Sequence, residues 1–161
     1  MRSPAYSRGV TANPIADVPR GLRVDELSTA VPASARDAVG ALIGSWELNR
    51  RVGFDTPSTP PVLGADGVLS RRVLGIRFDA PVRVFRADPH GLAYETRPGH
   101  PLYGEETFVV AEGRFTVRSI SRPSTFLWWM LTPALRLMQR SVRRDYVRAV
   151  EAEIAAQQRA R

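Results

Sequence analysis

YGEETFVVAEGRFTVRSIS, Tyr103–Ser121, decides the fold. Glu112-Gly113 separates two runs in which apolar and polar residues alternate, which marks a hairpin closed by a two-residue turn. That turn fixes the register: Ala111 faces Arg114, Val110 faces Phe115, Phe108 faces Val117 and Glu106 faces Ser119. Glu106, Phe108, Val110, Phe115, Val117 and Ser119 share one face, which gathers the aromatics and reads as the core side. Glu105, Thr107, Val109, Arg114, Thr116, Arg118 and Ile120 share the other. Neighbours along a strand point to opposite faces, so Glu105 and Glu106 have different jobs. Glu105 is read as an outward residue, diagonal to Arg118 and paired with it at the surface, where such a pair contributes little. Glu106 points inward, and a buried carboxylate needs a partner or takes up a proton. Ser119, Tyr94, Arg97 and His100 are its candidate partners.

Working outward, the upstream stretch Thr96–Phe108, TRPGHPLYGEETF, brings two prolines, two glycines and His100 to the approach of that inward acid. Leu92–Thr96 reads as a strand with Leu92, Tyr94 and Thr96 on the face shared with Phe85, so Tyr94 and Glu106 look into one interior. DPHG, 88–91, is a turn with an exposed His90. Pro81–Ala87 and Val68–Ile76 read as two further strands, after a proline-bearing loop at 53–67. Leu22–Val31 reads as a first strand. Ser34 caps a helix to about Trp46, with Val39, Leu42, Ile43 and Trp46 on one side. Residues 1–20 are polar and without period and are read as a flexible arm, 21–157 as one domain and 158–161 as a tail.

After Pro123 a long helix is predicted from Ser124 to about Gln157. Leu127, Leu131, Ala134, Leu135, Met138, Val142, Tyr146 and Ala149 fall on one side, and Arg136, Arg140, Arg143 and Arg144 on the other. Pro133 loosens it near Thr132, either as a gate over a cavity or as a boundary between two helices in sequence. Segregated helices beside an antiparallel meander make an α+β fold. A curved sheet wrapped around a long C-terminal helix is the helix-grip arrangement of START-like proteins, with room for a cavity between the two.

Composition narrows the chemistry. The 161 residues fit one domain with a sizeable core. Without cysteine there are no disulfides, no thiolate catalysis and no cysteine-based zinc site. All 23 basic residues are arginine, so a lysine Schiff base or a phosphate-loop lysine is excluded. Net charge is +7, which suits either a gene rich in G and C or an anionic partner. No apolar run reaches a membrane span and no signal-peptide core opens the chain, so a cytoplasmic location is the default expectation. Single histidines lack metal-ligand spacing, so neither a metal nor a cofactor is expected.

Three blocks resemble the domain-of-unknown-function family nineteen-ninety: Thr96-x-Pro98-Gly99-His100-Pro101, Gly104-Glu105-Glu106-x-Phe108 and Ser121-Arg122-Pro123. Trp46-x-Leu48-x-Arg50, Pro81-x-Arg83-Val84, Pro133, Gln139, Arg143, Arg144 and Tyr146 add to the likeness, which covers roughly residues 22–150. The resemblance implies a START-like (SRPBCC) helix-grip fold and no particular activity. Arg97 stands where the family usually has an apolar residue.

Three functions follow as expectations. The first is a cavity for a hydrophobic small molecule or lipid, with Tyr94, Arg97, His100, Glu106 and Ser119 as its polar contacts. The second is an enzyme of cyclase or hydrolase type, with Glu106 as base and His100 or Tyr94 orienting or protonating. The third is a peripheral protein that docks on an anionic membrane or a partner through Trp128, Trp129, Arg136, Arg140 and Arg144. Nucleic acid is not expected as a partner, because the arginines are dispersed and no groove-reading motif accompanies them.

Overall fold

The computed structural model describes residues 6–160; the first five residues of the predicted arm and the last of the predicted tail lie outside them. Six strands, β1 (Arg23–Ala30), β2 (Asp66–Val73), β3 (Ile76–Asp88), β4 (Gly91–Thr96), β5 (Leu102–Ala111) and β6 (Arg114–Pro123), form one antiparallel sheet. Its order is β1-β6-β5-β4-β3-β2. The helices are α1 (Arg36–Gly44), α2 (Glu47–Arg51), α3 (Phe126–Met130) and α4 (Thr132–Arg159). This is the expected helix-grip, a curved sheet around a long C-terminal helix.

The β5–β6 register is the one that Glu112-Gly113 dictates: Ala111 pairs with Arg114, Phe108 with Val117 and Glu106 with Ser119. Elsewhere the boundaries move. The strand predicted over Val68–Ile76 ends at Val73, and a tight turn at Leu74-Gly75 starts β3 five residues ahead of Pro81. Pro81 is tolerated inside β3 because of the side it faces. Its carbonyl accepts from Arg97 N, so its nitrogen faces the end of β4 and not the β2 ladder. The β3–β4 register then slips between Val84 and Arg86, a bulge that bends the strand. As a result Val82 and Val84, not Phe85, are fully buried beside Tyr94.

The first predicted helix forms as α1, two residues shorter at each end. A 3-10 turn at Ala33–Ala35 precedes α1, and Trp46 adopts φ 62 between α1 and α2. That unusual backbone drops the indole into the core, 6.0 Å from the Tyr94 ring. The long C-terminal helix is two helices in sequence, with Pro133 in the first turn of α4, where its missing N–H costs nothing. The buried stripe of α4 runs through Leu135, Val142, Tyr146, Val150 and Ile154, further toward the C-terminus than predicted. Leu127, Leu131 and Ala134, expected on that stripe, are exposed. Arg143, expected on the solvent face, is buried.

The core fills the space between the concave face of the sheet and α1, α2 and α4. Trp46, Tyr146, Phe108, Phe115, Ile43, Leu48 and Leu92 are among its largest fully buried members.

The convex face carries a second correction. Glu105 does point outward, but it is not at the surface, and Arg118 is buried with it. The segment from Tyr6 to Ala12, predicted as part of an arm without packing, lies on top of both. Gly9 at φ 85 opens a 3-10 turn at Val10–Ala12 and aims its first N–H groups at one carboxylate. Glu105 accepts from Gly9 N at 2.9 Å, Thr11 N at 2.8 Å and Thr11 Oγ1 at 2.7 Å. Because Thr11 spends its proton on Glu105, the 2.6 Å contact with Thr107 Oγ1 is donated by Thr107. Arg118 donates to the Thr11 carbonyl at 2.8 Å, and Arg8 forms a bidentate pair with Glu95. This strap is held by polar groups, and none of the predicted surface pairing of Glu105 with Arg118 is formed directly. Glu105→Ala removes the acceptor of three hydrogen bonds, two of them from the buried Thr11, which costs about 2 kcal/mol and roughly 4–8 °C of Tm. Limited trypsin digestion then cuts the variant at Arg8 or Arg20 under conditions that spare the parent protein; equal resistance of both would contradict the strap.

Candidate functional site

The site is built from one row across the sheet. Register places Asp25 of β1, Ser119 of β6, Glu106 of β5 and Tyr94 of β4 side by side on the concave face. Period-two alternation along each strand makes this row polar within an apolar surround. From α4, Tyr146 and Arg143 pack over it; one turn of helix separates them, so both face the sheet. α2 adds Asn49, which donates to Tyr146 OH at 3.1 Å.

A cavity of about 130 Å³ opens along this row between β2, β3 and α4. Phe54, Leu69, Phe78, Leu135, Met138 and Val142 give it apolar walls. Glu106, Tyr94, Tyr146, His100, Arg71, Arg143 and Gln139 supply the polar part. Tyr94 OH donates to Glu106 Oε2 at 2.7 Å. Burial pushes the Glu106 carboxyl up, against the opposing pull of the Tyr94 hydrogen bond and the Arg143 charge. Burial, with Glu106 beside them, also pushes both tyrosines well above their ordinary range, so each remains a neutral donor.

Of the residues expected at the site, Glu106, Tyr94 and His100 converge on the cavity. His100 Nδ1 accepts from Leu102 N at 2.9 Å, which fixes the ring, and burial lowers its pKa to about 4. It is therefore a neutral imidazole at neutral pH, with its Nδ1 already used by its own loop. Arg97 is not brought to the cavity. It follows Tyr94 at an odd spacing, so it shares the outward side with Glu95, and its guanidinium lies 3.7 Å from Asp66. Ser119 sits in the polar row but does not line the cavity; its Oγ is buried with no partner among the described residues. Trp128, Trp129, Arg136, Arg140 and Arg144 do not line the cavity, although the Trp128 indole touches Phe78 of its wall.

Three contributors escape the sequence reading. Arg71 lines the cavity with its guanidinium 5.5 Å over the Phe54 ring, and its Nη1 is buried without a partner. Arg143 reaches Asp25 at 3.3 Å, where Arg23 also donates to the same Oδ1. Asp25 Oδ2 is buried and unpartnered. Alternation held the clue to Arg71, since Leu69, Arg71 and Val73 share a face and Leu69 is in the core. Among the described residues no three carboxylates or histidines come together as a metal site.

The family described as "Domain of unknown function (DUF1990)" matches residues 6–149, which takes in the strap as well as the helix-grip. No curated protein matches by sequence. Solved structures with the same fold include the ginseng (Panax ginseng) major latex-like protein 151. That protein is 13% identical, with 84% of this chain and 96% of that chain covered at a TM-score of 0.56. Protein Ms6760 from Mycobacterium smegmatis is 12% identical over 87% of this chain and 94% of its own, at a TM-score of 0.59. TTHA0849 from Thermus thermophilus is 13% identical over 84% and 97%, at 0.54. At these identities the likeness carries the fold alone.

Proposed function

We propose that this chain, which belongs to the DUF1990 family, is a binding protein for a small amphipathic acid. The apolar part of the ligand would occupy the cavity and its acidic end would meet Arg71 and Tyr146, with Glu106 beside them. The observation that carries this reading is the Nη1 of Arg71, buried at the cavity wall with no hydrogen-bond acceptor. A buried guanidinium N–H left without an acceptor is costly, and a ligand carboxylate would relieve it. Burial pushes the Glu106 carboxyl up, which lessens its repulsion of such a ligand. Size limits the choice. A cavity of about 150 Å³ is filled by benzene, so 130 Å³ suits a ring or a short branched chain and not a whole lipid.

An acid/base role for Glu106 is a second reading. The 2.7 Å Tyr94–Glu106 hydrogen bond and a carboxyl pushed up by burial support it.

Native mass spectrometry of freshly purified protein tests the first reading, followed by a thermal-shift panel of small aromatic and branched aliphatic carboxylic acids. A true ligand at a hundredfold excess over its Kd raises Tm by roughly 5–10 °C. Arg71→Met removes most of that gain, while Glu106→Gln weakens binding less. If nothing co-purifies and no acid shifts the parent protein, the binding reading is wrong. A ligand that still binds Glu106→Gln but is converted only by the parent protein would favour the enzymatic reading.

A further inference from the structure

Exposed apolar side chains concentrate outside the cavity, on and around α3. Phe126, at 73% exposure, and Trp129, at 62%, stack on each other on the outer side of α3 with ring centroids 5.7 Å apart. Leu127, Met130, Leu131 and Leu137 continue the exposed surface. Trp128 does something else: its indole makes an edge contact with Phe78, centroids 5.9 Å apart, and ties α3 to the β2–β3 hairpin. At the tip of that hairpin Leu74 is 97% exposed and Ile76 also faces water. So many large apolar side chains left in water around α3 call for a partner.

Charge identifies the kind of partner. From Gly113 to Arg144 the chain has seven arginines and no aspartate or glutamate. Arg136, Arg140 and Arg144 of α4 make no ion pair among the described residues. Pro123 and Thr132, which bracket α3, line a surface groove that also holds Arg122, Arg136 and Arg23, the last already paired with Asp25. An apolar projection with paired aromatics, rooted in a groove of arginines, matches the layered chemistry of an anionic bilayer: acyl chains below, phosphates at the surface. No helix of the described residues is long and apolar enough to cross that bilayer.

We propose that α3 and the Leu74 hairpin tip dock this protein on an anionic phospholipid bilayer, with the arginines around the base of α3 meeting the lipid phosphates. The proposal does not depend on the cavity's ligand. Trp129, not Trp128, is the inserting indole.

Sedimentation of the full chain with vesicles tests it, with phosphatidylcholine plus phosphatidylglycerol compared against phosphatidylcholine alone and with tryptophan emission read in parallel. The protein should pellet with the anionic vesicles and its emission should shift to the blue. Added salt should weaken the partition. Arg136→Glu with Arg140→Glu lowers it by roughly tenfold or more. Phe126→Ser with Trp129→Ser abolishes the blue shift, while Arg159→Glu, at the far end of α4, leaves both readouts unchanged. All of these side chains are exposed, and unchanged circular dichroism establishes that the variants fold. Failure to pellet with anionic vesicles overturns the proposal, as does equal partition onto neutral ones. Light scattering that shows a dimer dissociated by the Phe126/Trp129 variant would assign the patch to a second copy of the chain instead.

Discussion

Phe108→Ala is expected to lower stability by about 3–5 kcal/mol, the usual cost of removing a fully buried phenyl group, and to lower Tm by roughly 6–20 °C. Phe108 has no exposed surface and pairs with Leu92 on one side and Val117 on the other. Its ring meets Tyr146 edge-on, centroids 4.9 Å apart, and lies 5.9 Å from Tyr94. Such aromatic pairs add to the area term. The same ring supports both tyrosines of the polar row, so the effect reaches the site. Near-ultraviolet circular dichroism should lose tyrosine signal well below the new Tm, because Tyr94 and Tyr146 gain room to move. Chemical denaturation gives the energy directly. A loss under about 1 kcal/mol would mean that the sheet and α4 close over the gap.

Gly104→Ala is expected to cost about 3 kcal/mol or more, at the upper end for overpacking. The reason is a close approach of backbone to backbone. A Cβ on residue 104 would lie 1.9 Å from the Ile120 carbonyl oxygen and 2.8 Å from Ser121 Cα. Neither atom belongs to a side chain that could swing aside. Relief requires β5 and β6 to part where Gly104 pairs with Ser121, and that also pulls Gly104 N away from Thr96 Oγ1, 2.9 Å distant. In urea the midpoint should fall with the slope unchanged. A midpoint like that of the parent protein would show that the two strands separate here at little cost.

The parts legible in the sequence were those set by local rules. Glu112-Gly113 fixes β5 against β6, and from that register alone Glu106 comes out inward and Glu105 outward. Tyr94 follows by alternation, and the helix-grip order by counting elements. Long-range contacts were not legible. Glu105 obeys its outward assignment yet is buried, because its cover is a stretch without periodicity whose only signals are Gly9 and Thr11. Trp46 fits a helical stripe on paper, while the core requires φ 62 there and ends α1. Pro81 reads as a strand start because a proline removes a donor; only the position of β4 shows that this donor was not needed. Arg143 looks like one more arginine of a solvated face until Asp25, far away in sequence, arrives beneath it.

The strand order has a consequence for how the molecule is made. β2 through β6 are joined by successive short connections and can close one hairpin upon the next as the chain lengthens. Of these six strands β1 is synthesised first, yet its neighbour is β6, with Arg23 opposite Ser121. Glu105, on which the strap settles, belongs to β5, so that segment also waits. Closing so long a loop costs entropy before any contact repays it, which makes such distant pairing slow. Until synthesis has passed Pro123, β1 has no partner in the sheet. Throughout that interval β1 offers an unpaired edge to any other nascent chain.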